Sequence, residues 1–217
     1  MDKKLLIFDL DGTLLNTLQD LCDAVNHTLV HFGYEMRSDR FLRMCWGNGY
    51  VAALKKALQI EIPNARFEEI LQYFIGYYAK HCADKTAPYP GVLEMLEKLK
   101  TVGYTLTVVS NKANEEACKL TKKYFGALID ITVGAREEIR KKPYPDTVFE
   151  VLAQTGYRQS QAVFIGDTEV DIETAKNAEM PCVCVKWGFR TEEQLVAAGA
   201  TLLVDTAESL YQRVLSL

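Results

Sequence analysis

The sequence predicts an α/β protein in which a doubly wound parallel sheet is interrupted, after its first strand, by a block of helices. Three observations carry this. Short continuous apolar runs, such as Leu5–Phe8, Thr105–Val109 and Ala162–Ile165, alternate with amphipathic stretches of crossover length, and strands covered on both faces read as uninterrupted apolar runs. From about Thr17 to His81 that alternation stops, and apolar residues recur at three- and four-residue steps. The residues that follow each strand run are charged or hydroxylic, and open parallel sheets bind ligands outside the carboxyl ends of their strands.

Composition agrees. The chain has 217 residues, 48% hydrophobic and 25% charged, which suits a soluble protein with a sizeable core and argues against disorder or a coiled coil. The net charge is -4 and no basic block accompanies it, so a nucleic-acid partner is not expected. No apolar run approaches the ~18 residues of a membrane span. Met1-Asp2-Lys3-Lys4 leads into only four apolar residues before Asp9, which is not a signal-peptide pattern. A cytoplasmic location, no membrane partner, and a monomer or homodimer are the expectations.

The elements follow in order. Lys4–Phe8 reads as the first strand. Leu18, Leu21, Val25, Leu29 and Phe32 mark a helix, and further helices are expected over roughly 38–46, 49–59 and 66–83, punctuated by Gly47-Asn48-Gly49 and Pro63. Val92, Met95, Leu96, Leu99 and Val102 form one helix face ended by Gly103. Strands then read at 105–109, 129–133, 162–165, 182–185 and 202–204. Helices separate them at about 113–124, 145–155, 170–178 and 191–198, and a helix over 207–216 closes the chain. Residues 1–16 and 87–217 thus form the α/β core, and 17–86 the helical insert.

Six cysteines, Cys22, Cys45, Cys82, Cys118, Cys182 and Cys184, contain no C-x-x-C pair and read as buried free thiols in a reducing compartment. His27 and His31, one helical turn apart, read as helix-surface or packing residues rather than zinc ligands, because no convergent cysteine spacing supports a zinc site.

Reading the strand ends collects the chemistry. Asp9 and Asp11 follow the first strand. Ser110, Asn111 and Lys112 follow the second, and Lys141-Lys142-Pro143 comes after the third. Gly166 and Asp167 follow the fourth, with Asp171 four residues on, and Lys186 to Arg190 follow the fifth. Four carboxylates at one rim repel each other, and a hard divalent cation such as Mg²⁺ relieves that with oxygen ligands. A lysine and the Ser110 hydroxyl then suit phosphate oxygens. Asp9 is positioned to attack phosphorus, and Asp11 to protonate the leaving oxygen and then take a proton from water. Gly12 lets the chain turn and its backbone approach a phosphate. Lys142 and Ser110 stabilise charge on the transferring oxygens.

Asp9-Leu10-Asp11-Gly12-Thr13-Leu14, Ser110-Asn111-Lys112, Lys142-Pro143-Tyr144-Pro145-Asp146 and Gly166-Asp167-Thr168-Glu169-Val170-Asp171 resemble, in order, the four motifs of the haloacid dehalogenase-like superfamily in its phosphatase form. The resemblance spans essentially the whole chain. It implies a Rossmann-like core with an α-helical cap inserted at 17–86. It further implies Mg²⁺ held by Asp9, by the Asp11 backbone carbonyl and by Asp167, with Asp171 supporting that site, and turnover through an aspartyl-phosphate. Asp11 separates the chain from the dehalogenase and phosphonatase branches, which lack an acid there. Lys142 takes the third-motif role because it precedes Pro143, with Lys141 as the alternative.

Trp46-Gly47-Asn48-Gly49, Trp187-Gly188-Phe189-Arg190-Thr191 and Ala197-Ala198-Gly199-Ala200 resemble stretches of the phosphoglycolate phosphatases, which implies 2-phosphoglycolate as the first candidate substrate. Pyrophosphate, a sugar phosphate (hydrolysed or isomerised by a mutase) and a nucleoside monophosphate are the alternatives. The partner expected is a small phosphorylated metabolite. Substrate contacts are expected from Gly12, Thr13 and Asn111. Gly47 and Asn48 read equally as a helix–helix turn. Arg43 and Arg190 are candidates to grip an anionic tail, against surface charge, and Trp187 reads as packing or as a substrate wall. Two rivals of another class are a phospho-receiver signalling module and a non-catalytic binding protein. A receiver would lack the large insert and would carry adjacent acids; a dead relative would have lost an acid, Ser110 or Lys142.

Overall fold

The computed structural model describes residues 4–217; the reading of the N-terminus, so far as it rests on Met1, Asp2 and Lys3, lies outside the described residues. In chain order the elements are β1 (Leu5–Phe8), β2 (Leu15–Asn16), α1 (Leu18–His31), α2 (Asp39–Arg43), α3 (Gly49–Leu58), α4 (Asn64–His81), β3 (Ala87–Pro88), α5 (Val92–Thr101), β4 (Thr105–Ala113), α6 (Asn114–Phe125), β5 (Ile131–Ala135), α7 (Asp146–Thr155), β6 (Ala162–Gly166), α8 (Glu169–Asn177), β7 (Cys182–Val185), α9 (Glu192–Ala197), β8 (Leu203–Val204) and α10 (Ala207–Leu215). The chain divides into two compact units, one formed by residues up to Asn16 with Pro88–Leu217, the other by Thr17–Ala87.

The first unit is built on a six-stranded sheet in the order β5-β4-β1-β6-β7-β8, with every pairing parallel. This is the doubly wound parallel sheet the sequence predicts. Leu5 registers with Thr105 on one side and with Ala162 on the other, so β1 is central and its four residues are fully buried. Leu5 and Ile7 pack with Val148, Val151, Phe164 and Ala175. A strand's alternation sends Leu6 and Phe8 to the opposite face, and both are also fully buried. That double burial is why β1 reads as a continuous apolar run. The chain lays β4 and β5 on one side of β1, then returns to lay β6, β7 and β8 on the other. The reversal falls between β1 and β6, and such a switch point is where open α/β sheets leave a crevice at the strand ends.

Several boundaries differ from expectation, three of them near polar residues. β4 continues past Val109 to Ala113, because its ladder with β5 resumes after a register shift and pairs Ala113 with Ala135. Loss of apolar character at Ser110 therefore does not end the strand. β5 begins at Ile131, two residues late, because Asp130 turns to serve the neighbouring strand: its N–H donates to the Leu106 carbonyl at 2.8 Å and its carboxylate accepts from Leu106 N at 2.9 Å. α2 ends at Arg43 instead of running to residue 46. β2 and β3 have no counterpart in the sequence reading, since two residues show no period.

In the helical unit, α4 buries Phe67, Ile70, Leu71, Phe74 and Tyr78 on one face, the three- and four-residue spacing of an amphipathic helix. Phe74 and Tyr78 stack at 5.7 Å, and Tyr50 meets both edge-on. His27 and His31 pack, as expected, by stacking on Tyr77 at 3.9 Å and Tyr73 at 4.0 Å. The six cysteines are free thiols, but Cys118 is exposed, unlike the buried set expected. Among the described residues no helix is long and apolar enough to cross a membrane.

The buried Asp20 carboxylate, in the first turn of α1, ties down the far end of the same unit. It accepts from Lys85 N at 2.9 Å, Thr86 N at 2.9 Å and Thr86 Oγ1 at 2.7 Å. Asp20→Ala would leave those donors unsatisfied, at about 1–3 kcal/mol for a buried group and more where the acceptor was charged. A urea-denaturation midpoint clearly below wild type is expected for that variant, and an unchanged midpoint would contradict the assignment.

Candidate active site

The carboxyl ends of β1, β4 and β6 bring together most of the residues singled out in the sequence. Asp9 follows β1 directly. Its N–H donates to the Ile165 carbonyl at 2.8 Å, so β6 fixes its backbone. Leu10 N donates to Asp9 Oδ1 at 2.7 Å, and Lys142 Nζ lies 2.9 Å from the same oxygen. The chain then turns sharply at Gly12, whose φ is +90°.

Asp167 follows β6 and is fully buried. Its Oδ1 accepts from Thr13 Oγ1 at 2.8 Å, and its Oδ2 accepts from Phe189 N at 2.7 Å. The backbone closes on this carboxylate from two sides. A Cβ on Gly12 would stand 2.3 Å from Asp167 Oδ2, and one on Gly188 would stand 2.2 Å from its Cβ. Only glycine fits at either position, and in each case the reason is this side chain.

Asp171 lies in the first turn of α8, also fully buried. Its Oδ2 accepts from Thr168 N at 3.0 Å, Thr168 Oγ1 at 2.8 Å and Asp167 N at 3.2 Å, so it closes a capping box. Its Oδ1 holds Lys142 Nζ at 2.6 Å. Lys142 is thereby stretched between Asp9 and Asp171, whereas Lys141 is exposed.

Ser110 and Asn111 are buried in the last part of β4. Ser110 Oγ accepts from Lys112 N at 3.2 Å. Asn111 Nδ2 donates to the Lys142 carbonyl at 2.9 Å, so this amide secures the loop that carries Lys142. The Thr13 hydroxyl donates its proton to Asp167. Trp187 Nε1 donates to the Thr13 carbonyl at 3.0 Å, which favours the packing reading of that ring.

Arg190 is 4% exposed, and Glu169 takes its Nε at 2.6 Å and its NH2 at 2.8 Å. This two-pronged pair anchors the β7–α9 loop to α8, so the guanidinium is not loose surface charge. Arg43 lies in the last turn of α2, and Gly47 and Asn48 form the turn before α3; all three belong to the helical unit.

Lys112 is the residue that sequence reasoning missed. Its side chain is fully buried, and its Nζ lies 3.1 Å and 3.2 Å from the two oxygens of Asp11. Its only sequence signal was its place two residues beyond Ser110, and the register shift of β4 between Val109 and Ala113 keeps simple strand alternation from placing it.

Charge explains the electrostatics. Four carboxylates, of Asp9, Asp11, Asp167 and Asp171, face two ammonium groups, of Lys112 and Lys142. Two negative charges remain in excess in a largely buried place. Burial pushes the Asp9 carboxyl up to about 7, against the opposing pull of Lys142 and with the help of Asp171 and Asp11. Burial, then Asp171 and Asp9, pushes Asp167 well above the usual carboxylate range, although Phe189 N and Thr13 oppose it. For Lys142, burial would discharge the ammonium, but Asp171 and Asp9 outweigh it and hold the pKa above the ordinary lysine value.

Such a site fits a hard divalent cation. The carboxylate oxygens of Asp9, Asp167 and Asp171 come within 4.8 Å of one another, the donors are all oxygen, and a charge of +2 cancels the excess. The oxygens of Asp171 are already engaged by Lys142 and the 167–168 backbone. The Lys142 ammonium sits on Asp171 Oδ1, while Asp167 meets only neutral donors; Asp9 and Asp167, with the Asp11 carbonyl beside them in sequence, could hold such an ion.

A profile of the haloacid dehalogenase-like hydrolases matches residues 6–185. A phosphoglycolate phosphatase from Aquifex aeolicus is 34% identical over 191 residues, covering 86% of each chain. One from Mesorhizobium japonicum is 32% identical over 198 residues, covering 87% of this chain and 85% of its own. A solved structure from Lactobacillus delbrueckii subsp. bulgaricus superposes with a TM-score of 0.95 at 36% identity, over the full length of both chains.

Two outcomes are expected. The folded Asp9 carboxyl titrates near 7 and the unfolded one near 3.8, so in between the metal-free folded protein binds a proton that the unfolded chain has released. Stability in EDTA should therefore fall as pH rises through that window, and Asp167 adds to the fall with the same sign. Urea midpoints at about pH 5 and about pH 8 should separate less in Asp9→Asn than in wild type; equal separation would contradict the assignment. Lys112→Met, which frees Asp11, should lower turnover of whatever substrate the protein accepts by about 10–100-fold, the usual effect of losing a group that orients a reacting one. Steady-state kinetics should register the loss in kcat and not in KM.

Proposed function

The chain belongs to the haloacid dehalogenase-like hydrolases and is a phosphatase of that family; we propose that it hydrolyses a small phosphomonoester, 2-phosphoglycolate before others, with Mg²⁺ bound among its strand-end carboxylates. What supports the reading is the grouping of Asp9, Asp167 and Asp171 around Lys142, with Asp11 on Lys112, in a site where carboxylates outnumber ammonium groups by two. The substrate rests on the phosphoglycolate phosphatases to which the chain is similar.

Asp9, Asp167 and the Asp11 carbonyl would hold Mg²⁺, which supplies positive charge against the phosphoryl oxygens and so lets two anions meet. Asp9 is the nucleophile. Lys142 and Leu10 N both engage its Oδ1, which leaves Oδ2 to attack phosphorus. The bond to the ester oxygen breaks as the new P–O bond forms, and Asp11 donates a proton to the departing alkoxide. In the second step Asp11 takes a proton from water, the resulting hydroxide attacks phosphorus, and phosphate leaves Asp9 free. Ser110 and Lys142 stabilise the charge that gathers on the transferring oxygens. Lys112 keeps Asp11 in place between steps.

The helical unit, residues 17–86, serves in this reading as a cap that limits substrate size and excludes bulk water. Arg43, Gly47 and Asn48 are its candidates for touching the substrate. A cytoplasmic enzyme, monomeric or homodimeric, fits a diffusible metabolite of this kind.

The test is phosphate release from a panel containing 2-phosphoglycolate, pyrophosphate, sugar phosphates and nucleoside monophosphates. Turnover is expected with Mg²⁺ and none in EDTA, with 2-phosphoglycolate the best substrate by kcat/KM. Asp9→Asn should abolish it, and Asp11→Asn should lower kcat by about 10²–10⁴-fold, the range of general acid–base catalysis. Inertness across the panel would overturn the reading, activity in Asp9→Asn would overturn the nucleophile, and a better substrate elsewhere in the panel would overturn the choice of 2-phosphoglycolate.

A further inference from the structure

Cys182 and Cys184 take no part in the chemistry above. They lie two residues apart on β7, and a strand's period of two puts both on one face of the sheet. Their sulfurs stand 3.9 Å apart. Cys184 is buried and Cys182 half-buried. Cys182 also lines a cavity of about 420 Å³ together with Ala175, Lys176, Met180 and Gly199. Met180 packs in the core cluster against which Cys182 rests. Of these two thiols in contact, Cys182 shares with the Met180 thioether the wall of an opening through which a small ion can enter.

A disulfide suits this pair poorly. Two rises of about 3.2–3.4 Å separate such Cα atoms, which puts them at the far edge of the disulfide range with their Cβ bonds parallel. A single ion suits it well. With metal–sulfur bonds of about 2.3 Å, a linear centre holds two sulfurs about 4.6 Å apart and a trigonal one about 4.0 Å. The 3.9 Å observed is compatible with the trigonal case. A tetrahedral centre would bring them to about 3.8 Å, but structural zinc wants four nitrogen, sulfur or carboxylate ligands. Among the described residues, the one cluster of three or more His, Cys, Asp or Glu ligands is Asp9–Asp167–Asp171, so no such group completes a zinc site at β7. Thiolate and thioether donors together select soft cations.

We propose that Cys182, Cys184 and Met180 form a three-coordinate site for a soft monovalent cation of the Cu(I) or Ag(I) type. Loading breaks two S–H bonds and forms two metal–thiolate bonds, and both protons pass to the buffer. Met180 Sδ donates a lone pair through the cavity. No oxidant or reductant is consumed, because the ion arrives and stays monovalent.

Cu(I) supplied as its bicinchoninate complex tests this by competition, in a Cys118→Ser background that removes the exposed thiol. The protein is expected to withdraw one Cu(I) per chain and release two protons. X-ray absorption should give a shell of three sulfurs and no lighter donor. Cys182→Ser should weaken binding by more than about 100-fold, beyond the loss of an outer contact, and Met180→Leu, which conserves volume, should leave two sulfurs in the shell. Failure to withdraw Cu(I), unchanged affinity in Cys182→Ser, or nitrogen and oxygen donors in the shell would each overturn the site. Should Cys182→Ser not fold, the absorption spectrum of the parent protein decides: three sulfurs support the site, and any other shell overturns it.

Discussion

Everything at the carboxyl end of this sheet depends on keeping an excess of negative charge in a place shielded from water. Removing an ionised carboxylate from solvent costs several kcal/mol even after relaxation, and a surplus of like charges adds to that. The chain offsets part of the cost with two buried lysines, each shared with an acid. It offsets more with N–H and O–H donors aimed at Asp167 and Asp171. What these leave over is two charges, the quantity a divalent cation supplies. That excess suits a divalent cation, and it goes with the carboxyl groups of Asp9 and Asp167 displaced upward.

The same constraint divides labour among the polar residues. Thr13, Asn111 and Thr168 bear side chains suited to phosphate, yet each gives a hydrogen bond to another part of the site, and the Arg190 guanidinium is paired with Glu169. Asp171 does likewise: it caps α8, supports the backbone between Asp167 and Thr168, and grips Lys142. Residues that look like ligands of a substrate are here ligands of the residues that would touch it. Precision of that kind matters because reacting groups must be held to a fraction of an ångström.

The large features were legible in the sequence because they follow from periodicity. β1 and β6 are apolar throughout because both faces are covered, and α4 shows its buried stripe at helical spacing. The positions of Asp9 and Asp167 followed from reading the residue after each strand. Lys112 was illegible because the apolar run of β4 ends at Val109 while its hydrogen-bonded ladder does not; polar side chains that find buried partners let a strand continue where a pattern of hydrophobicity stops. The partners of Arg190 and Thr13 were illegible for a related reason. Sequence gives the type of a donor but not its acceptor, and Glu169 and Asp167 lie 21 and 154 residues away in the chain.

The most direct test of the account is a calorimetric titration of the metal-free protein with Mg²⁺ slightly below neutral pH, in buffers of different ionisation enthalpy. Carboxyls displaced toward neutrality must lose protons when the cation arrives. Saturable binding of one ion per chain with net proton release, lost in Asp167→Asn, is the result expected. Binding without proton release, or of equal strength in that variant, would contradict the claim that the cation balances buried carboxylate charge.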